Sequence, residues 1–237
     1  MVETLSTRRS DTRAQVQVNS FIQSVYNWMA IGLALTGGIA FYVAHTPAIR
    51  DFVFGNQMIF FGLIIAELGL VFYLSARVQK IQASTATGLF LLYAALNGVT
   101  ISFIFLAYTG TSIASTFFVC AGTFVACSIY GMVTKRDLTS MGGFMMMGLI
   151  GIIIASVINL FIRSSAMMMV ISYVGVLVFV GLTAYDTQKL KHMALTQPAG
   201  LDAGVVRKGA IIGALTLYLD FINLFLMLLH ILGGSRD

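Results

Sequence analysis

The chain has 237 residues, of which 58% are hydrophobic and 10% charged, with a mean hydropathy of +0.91. Soluble domains carry roughly 25% charged residues, so this composition excludes a soluble globular protein and indicates a polytopic membrane protein. The formal charge of +5 is not a nucleic-acid signal, because the basic residues stand between apolar runs instead of forming one patch.

The first twenty residues are polar and include Arg8, Arg9 and Arg13. They lack the apolar stretch and small-residue site of a cleavable signal. Residues 1–20 therefore read as a cytoplasmic tail, and residues 21–235 as one transmembrane domain. A helical span needs about 20 apolar residues. Seven runs qualify: 26–43, 58–75, 87–108, 112–133, 142–161, 167–185 and 209–232. None alternates as a membrane β-strand must, so each is predicted to be a helix, and the fold class is all-α with seven transmembrane helices. Tyr26 and Trp28 suit an interfacial anchor at the start of the first span. The links are short except for the sixth, from Asp186 to Lys208, which is polar and contains Pro198.

Lysine and arginine orient the bundle. Arg8, Arg9, Arg13, Arg77, Lys80, Lys135, Arg136, Lys189, Lys191, Arg207 and Lys208 fall on one side, and Arg50, Arg163 and Arg236 on the other. The positive-inside rule then places the N-terminus in the cytoplasm and, after seven spans, the C-terminus outside.

Acids within the spans are the functional signal. Asp186 closes the sixth run in Gly181-Leu-Thr-Ala-Tyr-Asp-Thr-Gln, and Asp220 lies inside the seventh in Leu215-Thr-Leu-Tyr-Leu-Asp-Phe-Ile-Asn. A charged carboxylate at mid-bilayer costs about 2.5–3.5 kcal/mol on insertion scales, so a retained one usually faces a cavity or a partner. By this topology both aspartates lie in the inner half of the membrane. Two carboxyls within hydrogen-bond reach cannot both ionise easily and titrate as a unit. Arg77, at the cytoplasmic end of the second span, is a candidate third member whose charge favours the ionised forms. Such a set can act as a pH-sensing gate. Alternatively, Asp220 is a structural acid bonded to Tyr218, Asn223 or another helix, Asp186 is an interfacial acid near Lys189, and Arg77 only obeys the positive-inside rule. Glu67, within the second span, is either a protonated structural acid or a cation relay. A hard cation such as calcium needs several oxygens. Asp186 and Asp220 are the candidate transient calcium ligands, and Glu67, Asp220 and Asn223 the candidate cation pathway, with Asn97 and backbone carbonyls as further oxygens.

The remaining features are bland. Cys120 and Cys127 are seven residues apart, about 10.5 Å along a helix and too far for a mutual disulfide. The Met145–Met147 and Met167–Met169 runs suit packing and lipid contact better than Cu(I). His45, His192 and His230 have no metal spacing, and no nucleotide-binding loop is present. Gly209 and Gly213 form a G-x-x-x-G pattern that permits close helix approach. A retinal protein would need a lysine within the last span, which Lys208 only begins. Serine intramembrane proteases carry a Gly-x-Ser-x-Gly type motif, and aspartyl ones Gly-x-Gly-Asp and Pro-Ala-Leu; both sets are absent.

Ala184-Tyr-Asp-Thr-Gln-Lys-Leu-Lys191 and Leu215-Thr-Leu-Tyr-Leu-Asp-Phe-Ile-Asn-Leu-Phe-Leu closely resemble the transmembrane Bax inhibitor motif family, also called the Bax inhibitor family. The resemblance spans about residues 20–235, and the short N-terminal tail is similar to the bacterial branch. It implies six helices in three hairpins around a central seventh, and a pH-sensitive calcium leak in which Asp186 and Asp220 match the family's aspartate pair. By position within the helix, Arg77 matches its arginine and Glu67 its glutamate. The expected function is thus a pH-gated calcium leak across a bacterial inner membrane, without enzymatic activity or cofactor, whose partners are the lipid bilayer, calcium and protons. The alternatives are an interaction protein that restrains a membrane protease or a cell-death or stress factor, and a proton-coupled cation exchanger.

Overall fold

The structure is a computed structural model that describes the backbone of residues 2–198 and 201–234, with side chains from Val18 onward. Its elements are α1 (Val2–Ala44), α2 (Pro47–Phe54), α3 (Gln57–Arg77), α4 (Ala83–Ile101), α5 (Ile104–Ala107), α6 (Gly110–Val133), α7 (Thr139–Ile162), α8 (Ser165–Thr196) and α9 (Ala203–Leu232). Among the described residues there is no strand, and seven helical stretches are long and apolar enough to cross a membrane. The protein is multi-pass and all-helical, as the apolar runs predict.

Short polar side chains start the helices. Asn56 accepts from the Met58 amide ahead of α3, and Thr109 from the Ser112 amide ahead of α6. Asp137, Ser164 and Asp202 accept in the same way from Thr139, Met167 and Gly204. Each satisfies one of the backbone donors that a first turn leaves open.

Two features depart from the sequence expectation. The link between the sixth and seventh spans is not a long loop. Helix α8 continues to Thr196 and α9 already begins at Ala203. The run 187–196 is polar but contains no glycine or proline, and Leu190 and Ala194 remain buried at helical spacing. A fall in hydropathy therefore marks the end of the apolar stretch and not the end of the helix. Second, the third span is interrupted between α4 and α5. There the Ser102 hydroxyl donates to the Val99 carbonyl at 2.7 Å, competing with the main-chain ladder, and the Thr100 hydroxyl, whose shorter contact is with Glu67, also lies 3.0 Å from the Asn97 carbonyl. Helix α1 begins at Val2, so the backbone of residues 2–20 is helical.

The chain divides into two compact units. One runs through Ser102 and takes in Lys189–Leu215; the other comprises Phe103–Gln188 and the chain from Thr216 onward. In the first unit α1 packs on α4, and the Thr36 hydroxyl donates to the Ala94 carbonyl at 2.8 Å. The G-x-x-x-G glycines serve this unit. A Cβ on Gly213 would lie 2.7 Å from Leu190 and 3.1 Å from Val25, and one on Gly209 would lie 3.4 Å from Phe21. Gly213 thus lets α9 lie close to α8 and α1, whereas at Gly209 the approach is an ordinary contact.

In the second unit, aromatic rings and small residues bring α6, α8 and α9 together. Phe221 meets Phe117 and Phe124 edge-on, with centroids 5.6 and 5.4 Å away. Cys120 is buried with its thiol 3.7 Å from the Phe221 carbonyl, and both cysteines are free. Met145 packs on Gly181, while Met146 and Met147 are exposed on the apolar surface. At the end of α9, the Tyr108 hydroxyl lies 3.3 Å from His230 Nδ1. The Thr109 amide also donates to the Gly234 carbonyl at 3.3 Å, tying the end of the chain to the start of α6.

Candidate functional site

Both aspartates belong to the second unit. Asp186 lies on α8 with ten helical residues after it, and Asp220 lies well inside α9. They are 8% and 5% exposed, and their carboxyls are hydrogen-bonded to each other. A carboxylate has no donor, so this bond requires a proton on one of the two groups. The second oxygen of Asp220, Oδ2, is buried without a hydrogen-bond partner among the described residues. Leu217, Tyr218 and Leu224 around Asp220 are wholly buried. The pair therefore joins two helices inside an apolar shell and retains an unused acceptor.

An aspartate side chain is short, so the backbones must be held close for this bond to form. Gly131 on α6 provides part of the support. A Cβ there would overlap the carbonyl oxygen of Ala184, two residues before Asp186. The Thr187 hydroxyl donates to Ser128 of α6 at 3.4 Å, and Thr183 is fully buried with its hydroxyl on the Phe179 carbonyl at 2.7 Å.

Gln188 fixes α8 from the other direction. Its Oε1 accepts from the Leu138 amide at 2.9 Å and its Nε2 donates to the Arg136 carbonyl at 2.8 Å. The buried amide thus clips the α6–α7 connection to the helix that carries Asp186. Gln188→Ala should leave both backbone groups unpaired and lower stability by about 1–3 kcal/mol. Thermal unfolding in detergent measures this, and an unchanged midpoint would mean that the clip does not contribute to stability.

The other expected site residues are distributed differently. Glu67 is in the first unit, 8% exposed, where it accepts from the Thr100 hydroxyl at 2.8 Å and from Asn97 Nδ2 at 3.3 Å. Arg77 also belongs to the first unit. It is exposed in the last turn of α3, where a cation suits the helix dipole, and it has no salt bridge among the described residues. Asn223 is half-buried one turn after Asp220, and its Nδ2 donates to the Leu219 carbonyl at 2.8 Å. No cluster of three or more His, Cys, Asp or Glu side chains occurs among the described residues. A cation held at the aspartates would thus take its remaining oxygens from amide and main-chain carbonyls or water. Gly131, Gln188, Thr100 and Ser128 were not singled out by the sequence. Gln188 carried a signal in its polarity beside Asp186, whereas the others become visible only once helix pairs are known.

Residues 18–237 match the family model described as Bax1-I, inhibitor of apoptosis-promoting Bax1. The chain is 52% identical over 230 residues to the inner membrane protein YbhL of Escherichia coli K12, covering 96% of this chain and 98% of that one. It is also 46% identical to a protein of Borreliella burgdorferi over 92% and 94% of the two chains, and 46% identical to one of Rickettsia prowazekii over 99% and 98%. The match reaches from the first span to the C-terminus, and the acid-bearing helices lie inside it. The chain belongs to the Bax inhibitor family of multi-pass membrane proteins.

Proposed function

We propose that this protein is a pH-sensitive cation leak of the bacterial inner membrane, with calcium as the transported ion and the Asp186–Asp220 pair as its titrating gate. The observation that carries the reading is the buried carboxyl–carboxyl hydrogen bond joining α8 to α9, with Asp220 Oδ2 left over. Protonated, the pair is a link between helices. With both groups ionised it has only acceptors, and the like charges repel. Loss of the shared proton therefore releases the link and biases the contact between the two helices, a local charge change acting on a two-state element. Freed carboxylate oxygens, with Asn223 beside them, offer weak ligands to a passing hard cation.

Glu67 takes the part of a second cation site in this reading, and Arg77 that of a modulating charge at the cytoplasmic end. In this reading the N-terminus faces the cytoplasm, which is supported by eleven of the fourteen lysines and arginines falling on its side. Glu67→Gln should preserve the fold, since an amide can still accept from Thr100, but reduce calcium flux. Glu67→Leu removes the shared acceptor of Thr100 and Asn97 and should in addition lower stability by about 1–3 kcal/mol. Thermal unfolding and flux measured on both variants separate the two roles; equal flux in wild type and Glu67→Gln would remove Glu67 from the pathway.

The description of the matched family as an inhibitor favours one other reading, an interaction protein that restrains a membrane protease or a death factor. Efflux from liposomes containing this chain alone discriminates between them, because a regulator needs its partner and a leak does not. A proton gradient that drives uphill calcium movement in the same vesicles would identify an exchanger.

A further inference from the structure

The first unit contains a cavity of about 760 Å³ between the beginning of the first span in α1, the last turn of α8 and the first turns of α9. This is within the range of small-molecule sites, and no role in the leak has been given to it. Its wall is amphipathic. Phe21, Leu201 and Val206 give an apolar side, and Ser20, Ser24, Gln197 and Arg207 a polar one. Ser20 and Ser24 are one helical turn apart and so share a face of α1. Among the described residues no acidic side chain lines the cavity.

Arg207 is its cation. The guanidinium stands 5.4 Å from the centroid of the Trp28 ring, which also lines the cavity. An aromatic face stabilises the charge without consuming the N–H donors, and Arg207 has no carboxylate or carbonyl partner among the described residues. The neighbouring Lys208 is differently engaged, donating to the Gln79 carbonyl at 3.0 Å. A fork of free guanidinium donors flanked by hydroxyls is suited to a phosphate. The tryptophan suits the membrane interface, the depth at which lipid phosphates lie.

We propose that this cavity binds an anionic phospholipid, with its phosphate on Arg207, Ser20 and Ser24 and its glyceryl and proximal acyl portion against Phe21, Leu201 and Val206. A zwitterionic lipid fits less well, because its ammonium group would meet a cation and, among the described residues, no carboxylate.

Trp28 is the single tryptophan of the chain, so its fluorescence reports on the site. The full-length protein, stripped of lipid in a neutral detergent, is titrated with phosphatidylglycerol, with phosphatidylcholine and with glycerol phosphate, and bound lipid is counted in parallel by native mass spectrometry. Phosphatidylglycerol should give a saturable change and retained one-to-one adducts, with phosphatidylcholine about tenfold weaker, as expected for loss of net charge complementarity. Arg207→Gln should weaken phosphatidylglycerol by about tenfold, the scale of one charge-assisted contact, and Ser24→Ile should reduce the adducts by filling the cavity. Adduct counting keeps Arg207→Gln interpretable, because removing the cation also alters the tryptophan baseline. Equal response to the two lipids, or wild-type adducts in both variants, overturns the proposal. Saturation by glycerol phosphate at the same concentration as by phosphatidylglycerol also overturns it, in favour of a soluble phosphate ligand.

Discussion

Asp220→Asn in purified vesicles should abolish the pH dependence of calcium flux, and Asp186→Asn should do the same. Asparagine keeps the shape of aspartate and can donate to the remaining carboxyl, but it cannot titrate. The link between α8 and α9 then persists at every pH and the flux–pH curve becomes flat. Asp220→Ala is the informative contrast. It leaves the buried Asp186 without its partner, which should cost about 1–3 kcal/mol of stability, whereas Asn costs far less. Flux titrations and thermal unfolding of the three variants distinguish a sensor from a purely structural bond. A wild-type pH profile in both asparagine variants would remove the pair from sensing.

The second large effect is expected far from any charge. Gly131→Val should destabilise the protein and disturb the gate together. The atom in its way is the main-chain oxygen of Ala184, which cannot rotate aside as a side-chain tip can. The helices must separate, at about 1–3 kcal/mol for overpacking, and Asp186 moves with Ala184. Gly122→Ala on the same helix is the control. It meets nothing within 4 Å, and replacing an interior helical glycine by alanine is favourable by roughly 0.5–1 kcal/mol. The account requires Gly131→Val to lower the unfolding midpoint and alter the pH response while Gly122→Ala does neither. Wild-type stability in Gly131→Val would show that α6 and α8 do not approach as closely as described.

Some of this was legible in the sequence because the bilayer imposes strong constraints. Seven apolar runs predict seven spans, since the hydrocarbon admits few alternatives to a helix. Asp186 and Asp220 were conspicuous because a carboxylate in that setting is costly. Their neighbours were harder to read. The continuation of α8 to Thr196 follows from the absence of a helix breaker after Asp186, a signal weaker than the polarity of the same stretch. The break coincides with the Ser102 hydroxyl turning back to the main chain, which serine and threonine elsewhere in these helices do without any break. The contact between Gly131 and Ala184 belongs to a pair of helices, and neither segment alone carries it. The grouping of Glu67 with Asn97 and Thr100 likewise required knowing that α3 packs on α4.

The most direct test of the account is calcium release from liposomes in which the purified wild-type chain is the only protein, followed across acidic to alkaline pH. The account predicts release above protein-free vesicles at some pH values, changing as the acid pair gains or loses its proton. Release indistinguishable from protein-free vesicles at every pH would contradict it.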